Sequence, residues 1–254
     1  RRALSRGDVL SGDARCALIT GATGALGGCV AEALARDGWR LHLAHRGDPA
    51  RADRLRQRLD ALGARYALHA ADLGDPDATE GLAARALADG PVHALLHAAG
   101  TFDRAPLPSY EAAALRRAWA VTAEAFHLLA RALVPPMVAR GDGRVVAFGH
   151  ATVSRLSAPP AVAGYYAAKA ALVSLARAWA RETAGRGVTV NVVSPGVLDS
   201  GGVAPDTLAR LAQSVPGGVP GSPEAVVAPV RFFLSEAAGY VTGAELCVAG
   251  GWGL

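Results

Sequence analysis

The stretch Cys16-Ala17-Leu18-Ile19-Thr20-Gly21-Ala22-Thr23-Gly24-Ala25-Leu26-Gly27 decides the fold. Its first five residues form a short run without polar alternation, the pattern of a strand buried on both faces. Glycines follow at 21, 24 and 27, and an amphipathic helical pattern covers Ala31 to Asp37. Glycine at these places permits a tight turn, close approach of the backbone to a pyrophosphate, and close packing of helix on strand. The amides and dipole at the helix start favour an anion there. Strand, glycine turn and helix in this order predict a dinucleotide-binding turn made by Thr20, Gly21, Thr23, Gly24, Ala25, Leu26 and Gly27.

Outward from this turn, similar runs recur at Arg40 to Ala44, Tyr66 to Ala70, Val92 to His97, Val145 to Phe148 and Val188 to Val193, with Glu245 to Ala249 as a seventh. Helical patterns lie between them at Arg51 to Leu62, Thr79 to Leu87, Ala112 to Val138 and Ala167 to Ala184. Non-alternating strands joined by helices predict an α/β architecture, a single-domain Rossmann fold whose doubly wound, mostly parallel seven-stranded sheet is flanked by helices. A chain of 254 residues that is 51% hydrophobic can bury one such core. We place the domain at 14–254, after an N-terminal extension at 1–13. The segment VPGGVPGSP, Val215 to Pro223, cannot hold a regular helix. With the rest of 199–223 it reads equally as a mobile substrate lid or an inert surface loop.

Composition narrows the function classes. The formal charge is +4, but the arginines run from Arg1 to Arg231 without gathering in one patch, so no nucleic-acid partner is expected. The densest run, Arg51, Arg54, Arg56 and Arg58, shares a helical pattern with Leu55, Leu59 and Leu62 and reads as a solvated helix face. Three cysteines, Cys16, Cys29 and Cys247, with no CxxC spacing indicate neither a disulfide framework nor a metal site. No uninterrupted apolar run reaches the ~18 residues of a membrane span. No apolar core of signal-peptide length precedes Asp13 and Arg15. The cytoplasm is therefore the expected compartment, and a small molecule the expected partner.

The strand ends carry the next signals. The second strand ends at His45-Arg46, where an acidic residue would accept from a free ribose hydroxyl and an arginine would welcome a 2′-phosphate. Arg46 predicts NADP(H) in preference to NAD(H), while Asp48, two residues on, keeps NAD(H) open. Asp72-Leu73 ends the third strand and offers a carboxylate for an adenine amino group or, equally, an ordinary helix cap. The small residues Ala98, Ala99 and Gly100 after the fourth strand would let a cofactor lie against the backbone.

Tyr165 and Lys169 stand four positions apart, so a helix puts them on one face. A phenol ordinarily titrates near ~10, too high for acid–base work at neutral pH, and an adjacent ammonium lowers it. Composition sharpens this pair. The 26 basic residues are 25 arginines and one lysine, and that lysine is Lys169. A lysine in a chain that otherwise uses arginine implies a need for a compact ammonium rather than a planar fork.

These motifs occur in an order that resembles the short-chain dehydrogenase/reductase family over roughly Ala14 to Leu254: TGATGALG, Asp72-Leu73, HAAG at 97 to 100, YYAAK at 165 to 169, NVVSPG at 191 to 196 and YVTGAELCVAGG at 240 to 251. The glycine loop also looks like that of polyketide-synthase ketoreductase domains. The resemblance implies an NADP(H)-dependent oxidoreductase that reduces a ketone or oxidises the alcohol of a small apolar or acyl-type substrate. Tyr165 is then the general acid/base, and Lys169 lowers its pKa and holds the nicotinamide ribose. Pro195, Gly196, Val197 and Ser200 line the nicotinamide and phosphate side. A homodimer or homotetramer is implied through the helices 112–138 and 167–184, whose alanine-rich faces could also pack on the sheet.

The helpers depart from the family pattern. Thr152 lies thirteen residues before the tyrosine, where the family's catalytic serine usually stands. Aligning the fifth strand by its end puts His150 there instead, and Ser154 is a third candidate. Spacing alone favours Thr152. The family's helix asparagine, which holds a proton-relay water, is missing from the Trp119-Ala120-Val121-Thr122 segment, and His97 replaces the asparagine usual at the start of HAAG. Both histidines also read as packed structural residues. A modified relay keeps two alternatives open: imine reduction, dehydration or cyclisation on the same scaffold, or a non-catalytic NADP(H)-binding regulatory protein.

Overall fold

A computed structural model describes residues 14–156, 159–201 and 205–253. The proposed 1–13 extension and positions 202–204 of the proposed lid lie outside the described residues. The strands are β1 (Cys16–Thr20), β2 (Arg40–His45), β3 (Arg65–Ala70), β4 (Ala94–His97), β5 (Gly143–Phe148), β6 (Val188–Pro195) and β7 (Glu245–Val248). The helices are α1 (Ala25–Arg36), α2 (Pro49–Ala61), α3 (Pro76–Ala88), α4 (Ala112–Trp119), α5 (Ala125–Arg140), α6 (Ala163–Thr183), α7 (Pro205–Ala212) and α8 (Val227–Leu234).

All seven strands join in one sheet of order β3-β2-β1-β4-β5-β6-β7, and every pairing is parallel, where the sequence predicts a mostly parallel sheet. The central strands β1, β4, β5 and β6 are buried along their whole length, which explains why they lack polar alternation. One face of the sheet packs Leu82, Phe126, Leu129 and Leu172; the other packs Val30, Leu34, Leu55 and Phe233. Helices thus cover both faces, and each fully buried leucine or phenylalanine contributes roughly 2 kcal/mol. The strand order reverses between β1 and β4, which remain parallel, and a crevice opens at their carboxyl ends, the usual ligand position in a doubly wound sheet.

Local chemistry sets the helix starts at this rim. Asp48 caps α2 by accepting from the Arg51 amide, with Pro49 in the first turn, and Asp75 caps α3 by accepting from Asp77 with Pro76 behind it. The helical pattern of 112–138 is interrupted: a π-type turn at Ala120–Glu124 separates α4 from α5. Within this turn the Thr122 carbonyl has a partner outside the helix, the ring of His97 on β4.

Among the described residues, no helix is long and apolar enough to cross a membrane, and no group of His, Cys, Asp and Glu is placed to hold a metal.

Candidate active site

The crevice consists of two adjoining cavities, of about 550 Å³ and about 270 Å³, which share Ala98, Gly100, Thr101 and Phe102. The larger one is walled by Gly21, Thr23, Gly24, His45, Arg46, Asp72, Leu73, Ala98 and Ala99, which sequence reading brings to the cofactor. Gly21 has φ +65°, and a Cβ there would lie 2.9 Å from the Ala99 nitrogen. A Cβ on Gly27 would lie 2.3 Å from the Gly21 carbonyl oxygen, so glycine at 27 lets α1 begin against the turn. This cradle fits a dinucleotide diphosphate at the start of α1. Thr20 and Gly27 act from behind the wall: Thr20 is 0% exposed, and its Oγ1 accepts from the Ala99 amide at 3.2 Å. Ala25 lines a neighbouring cavity with Arg51, Arg54 and Arg58, and Leu26 belongs to the smaller one.

Two arginines that sequence reading did not assign here join the rim. Arg51, read as part of a solvated face, lines the larger cavity beside Arg46, and its Nε lies 3.3 Å from the Asp48 carboxylate. That carboxylate is therefore engaged as cap and ion partner, which disfavours its turning to a ribose. Arg117 on α4 grips Asp72 with both nitrogens, at 2.6 and 2.9 Å, and holds its carboxyl below the ordinary range. Asp72 also accepts from the Gly74 amide, and the α3 cap is Asp75 rather than Asp72. No local pattern marks Arg117, because its partner is 45 residues away in sequence.

The smaller cavity brings His150, Tyr165 and Lys169 together. Tyr165 and Lys169 share one face of α6, with Lys169 Nζ 5.9 Å from the tyrosine ring centre. Lys169 is buried and donates to the Phe148 carbonyl at 2.6 Å; burial pushes it down to about 8. Burial pushes the Tyr165 phenol up, and Tyr166 adds to this. The lowering expected from the ammonium does not dominate, since Lys169 points its charge at the end of β5. The phenol is thus held in its protonated, donating form.

His150 lines this cavity with Tyr165, Lys169, Phe148 and Gly149; Thr152 does not. The His150 ring stands edge-on to Tyr165 at 5.7 Å and packs against Tyr166 at 4.5 Å and Trp252 at 5.3 Å. Thr152 stands behind it, its Oγ1 3.2 Å from His150 Nδ1. The structure therefore puts the histidine on the cavity wall and the threonine against the histidine, an arrangement that the thirteen-residue spacing hides. Ser154 is turned away and bonds the Glu245 carboxylate. Burial first, and the charge of Lys169 second, push His150 down to about 4.

His97 is placed differently. It is 0% exposed, with Nε2 3.1 Å from the Thr122 carbonyl in the π-type turn and Nδ1 3.0 Å from Thr20 Oγ1. A carbonyl only accepts, so Nε2 carries the proton and Nδ1 accepts from the threonine hydroxyl. Both ring nitrogens are spent, and burial pushes the group down to about 3.

On the far wall, Pro195, Gly196 and Ser200 line the smaller cavity, with Leu198 there rather than Val197. The Val197 carbonyl instead accepts from the Gly221 amide, while Asp199 donates to the Gly221 carbonyl, stapling the base of the 199–223 segment. Pro223 reaches the cavity from the end of that segment, and Phe102 stands at the mouth, edge-on to Tyr165 at 5.1 Å.

Comparison with known proteins agrees with this architecture. Residues 21–253 match a family profile described as Enoyl-(Acyl carrier protein) reductase. Galactitol 2-dehydrogenase (L-tagatose-forming) of Cereibacter sphaeroides is 36% identical over 94% of this chain and 95% of its own. A 2-(S)-hydroxypropyl-CoM dehydrogenase of Xanthobacter autotrophicus is 33% identical over 92% and 94%. The crystal structure of a 3-oxoacyl (acyl-carrier-protein) reductase from Agrobacterium tumefaciens with NADP bound superimposes with a TM-score of 0.86 at 31% identity, covering 94% of each chain. Sheet order, glycine cradle, the Tyr165–Lys169 pair and these full-length likenesses together place the chain in the short-chain dehydrogenase/reductase family, as an oxidoreductase with a nicotinamide-dinucleotide cleft.

Proposed function

We propose that the protein is an NADP(H)-dependent carbonyl reductase, with Tyr165 as proton donor. The observation that carries this reading is one continuous crevice with Arg46 and Arg51 at one end and Tyr165, Lys169 and His150 around a small, largely apolar cavity at the other. The arginine rim favours a 2′-phosphate, and Asp48 is occupied elsewhere. Leu26, Phe102, Phe148, Leu198 and Pro223 around the chemical end favour an apolar or acyl-type ketone. The relatives named above act on dissimilar molecules, so family membership does not choose among substrates.

When bound, reduced nicotinamide supplies the hydride that adds to the carbonyl carbon. Tyr165 gives its phenolic proton to the carbonyl oxygen as charge develops there, leaving a tyrosinate. Lys169 is close enough to lower the cost of that tyrosinate, and its Phe148 hydrogen bond fixes where the ammonium sits. His150 faces the same space and orients the oxygen. The reverse oxidation uses the same groups. Ser200 and Pro223, at the two ends of the 199–223 segment, reach the small cavity. Homodimer or homotetramer formation belongs to this reading too: Leu115 and Trp119 on α4 are half exposed beside α6.

The test is NADPH consumption against a panel of ketones and 3-oxoacyl thioesters, with NADH in parallel. Turnover with NADPH, and a shift toward NADH in Arg46→Asp, is the expected result. Product formation without net NADPH oxidation would favour dehydration or cyclisation. Tight NADPH binding without turnover would favour a regulatory role, against which the sole lysine beside Tyr165 speaks.

A further inference from the structure

His150 is held from three sides. Its backbone leaves β5 through Gly149, whose amide donates to Val193 at 2.8 Å and whose missing Cβ would lie 2.3 Å from Ser194 Oγ. The Ala151 amide donates to Pro195 at 3.0 Å, and the His150 carbonyl accepts from Val153 at 2.8 Å. The ring is then packed by Tyr165, Tyr166 and Trp252. On its inner edge, Nδ1 lies 3.4 Å from the Thr152 amide and 3.2 Å from the Thr152 hydroxyl. An amide N–H can only donate, so Nδ1 is the acceptor and the proton of a neutral ring sits on Nε2. That nitrogen makes no hydrogen bond within the described residues, although the ring forms part of the cavity wall.

We propose that the Thr152 backbone amide fixes His150 as the Nε2–H form, and that this N–H is the donor offered to the substrate's oxygen, which selects substrates whose reacting atom is a hydrogen-bond acceptor. The inference rests on the carbonyl-reductase reading and names its substrate class. A ketone oxygen has lone pairs for both Tyr165 and His150. An iminium nitrogen already carries its proton and has none to offer, so two donors around it are of no use and one is repulsive. A fixed ring also differs from a serine hydroxyl, which turns to act as donor or acceptor. The site is consequently committed to stabilising negative charge on the reacting atom.

Two measurements on the full chain test this. The nitrogen-15 shifts of uniformly labelled protein, with the His150 signals assigned from a His150→Gln sample, show which ring nitrogen is protonated. Nε2–H is expected in the wild type and in Thr152→Val, which keeps the amide, and a mixture of tautomers in Thr152→Pro, which removes it. An Nδ1–H wild type, a mixture of tautomers in Thr152→Val, or a Thr152→Pro spectrum identical to wild type overturns the role of the amide whether or not any substrate is turned over. With a ketone that the enzyme reduces, kcat/KM is expected to fall by about tenfold or more in His150→Ala and by less in His150→Gln, whose side-chain amide can still donate; unchanged kcat/KM in His150→Ala overturns the donor role. A cyclic iminium tested beside the ketone addresses substrate class, and a wild-type preference for the iminium overturns that part. Failure of every carbonyl and iminium would defeat the reductase reading and the substrate class together, while leaving the nitrogen shifts to decide the tautomer.

Discussion

Two histidines, at the ends of neighbouring strands, have opposite fates. His97 closes β4 and His150 follows β5, and both are held neutral, at about 3 and about 4, chiefly by burial. In both, the partners imply a proton on Nε2. They differ in what that proton meets. At His97 it is spent on the Thr122 carbonyl, so the residue ties β4 to the π-type turn and to β1 through Thr20. At His150 it is offered to a cavity that also holds Tyr165. Residue type and tautomer therefore do not make a functional histidine; an unspent hydrogen-bonding group on a concave surface does.

Variants can break this comparison. The largest expected effect sets its scale: Tyr165→Phe removes the proton donor and should lower kcat/KM by ~10²–10⁴ with little change in stability. Steady-state kinetics with the best ketone of the panel checks it, and retained activity would remove Tyr165 from the mechanism. His97→Leu should act on the other axis. It leaves the Thr122 carbonyl and the Thr20 hydroxyl without their ring partner in a fully buried site, at a cost of about 3 kcal/mol in urea unfolding. The kcat/KM of the folded fraction should stay within a few-fold of wild type. A stable but inactive His97→Leu protein would erase the distinction drawn here.

His150→Ala should give the mirror image on a smaller scale, a loss of about 10- to 100-fold in kcat/KM with under about 1 kcal/mol of stability. A large loss of stability with unchanged turnover would make both histidines structural. The smallest effect is in the pH dependence of stability. The unfolded chain protonates these histidines near ~6.5, whereas the folded chain keeps them neutral down to about 4 and about 3. Within that window the unfolded state binds more protons, so stability falls as pH drops, by at most about 1.4 kcal/mol per pH unit for each histidine. His42, His45, His69 and His93 are also held low, so the informative quantity is the difference from wild type. His97→Leu should reduce the slope between pH 6 and 4 by about one proton. An unchanged slope would mean that His97 is not kept neutral by the fold.

Much of the molecule is legible along the chain. Strand runs and helix patterns have periods that each segment displays by itself, and the glycine spacing of 21, 24 and 27 reports a turn made by adjacent residues. Tyr165 and Lys169 are visible for the same reason, since a four-residue step on a helix is local geometry. The break in 112–138 was not visible, because the π-type turn is stabilised by a histidine on another strand. Arg51 and Arg117 escaped because arginine is this chain's ordinary basic residue, and only the fold brings these two to the rim. Thr152 and His150 were separable only once β5 and β6 were paired.

The sequence alone thus determined the sheet, the glycine turn after β1 and the placing of Tyr165 and Lys169 on one helix face, each written in short-range periodicity. Only the tertiary structure decided which hydrogen-bonding groups remain free at the site. Thr20 lies 77 residues from His97, and Thr122 lies 25 away. Whether a ring nitrogen is spent or available is fixed by such distant neighbours, and burial makes the difference count because no water can take the place of a missing partner.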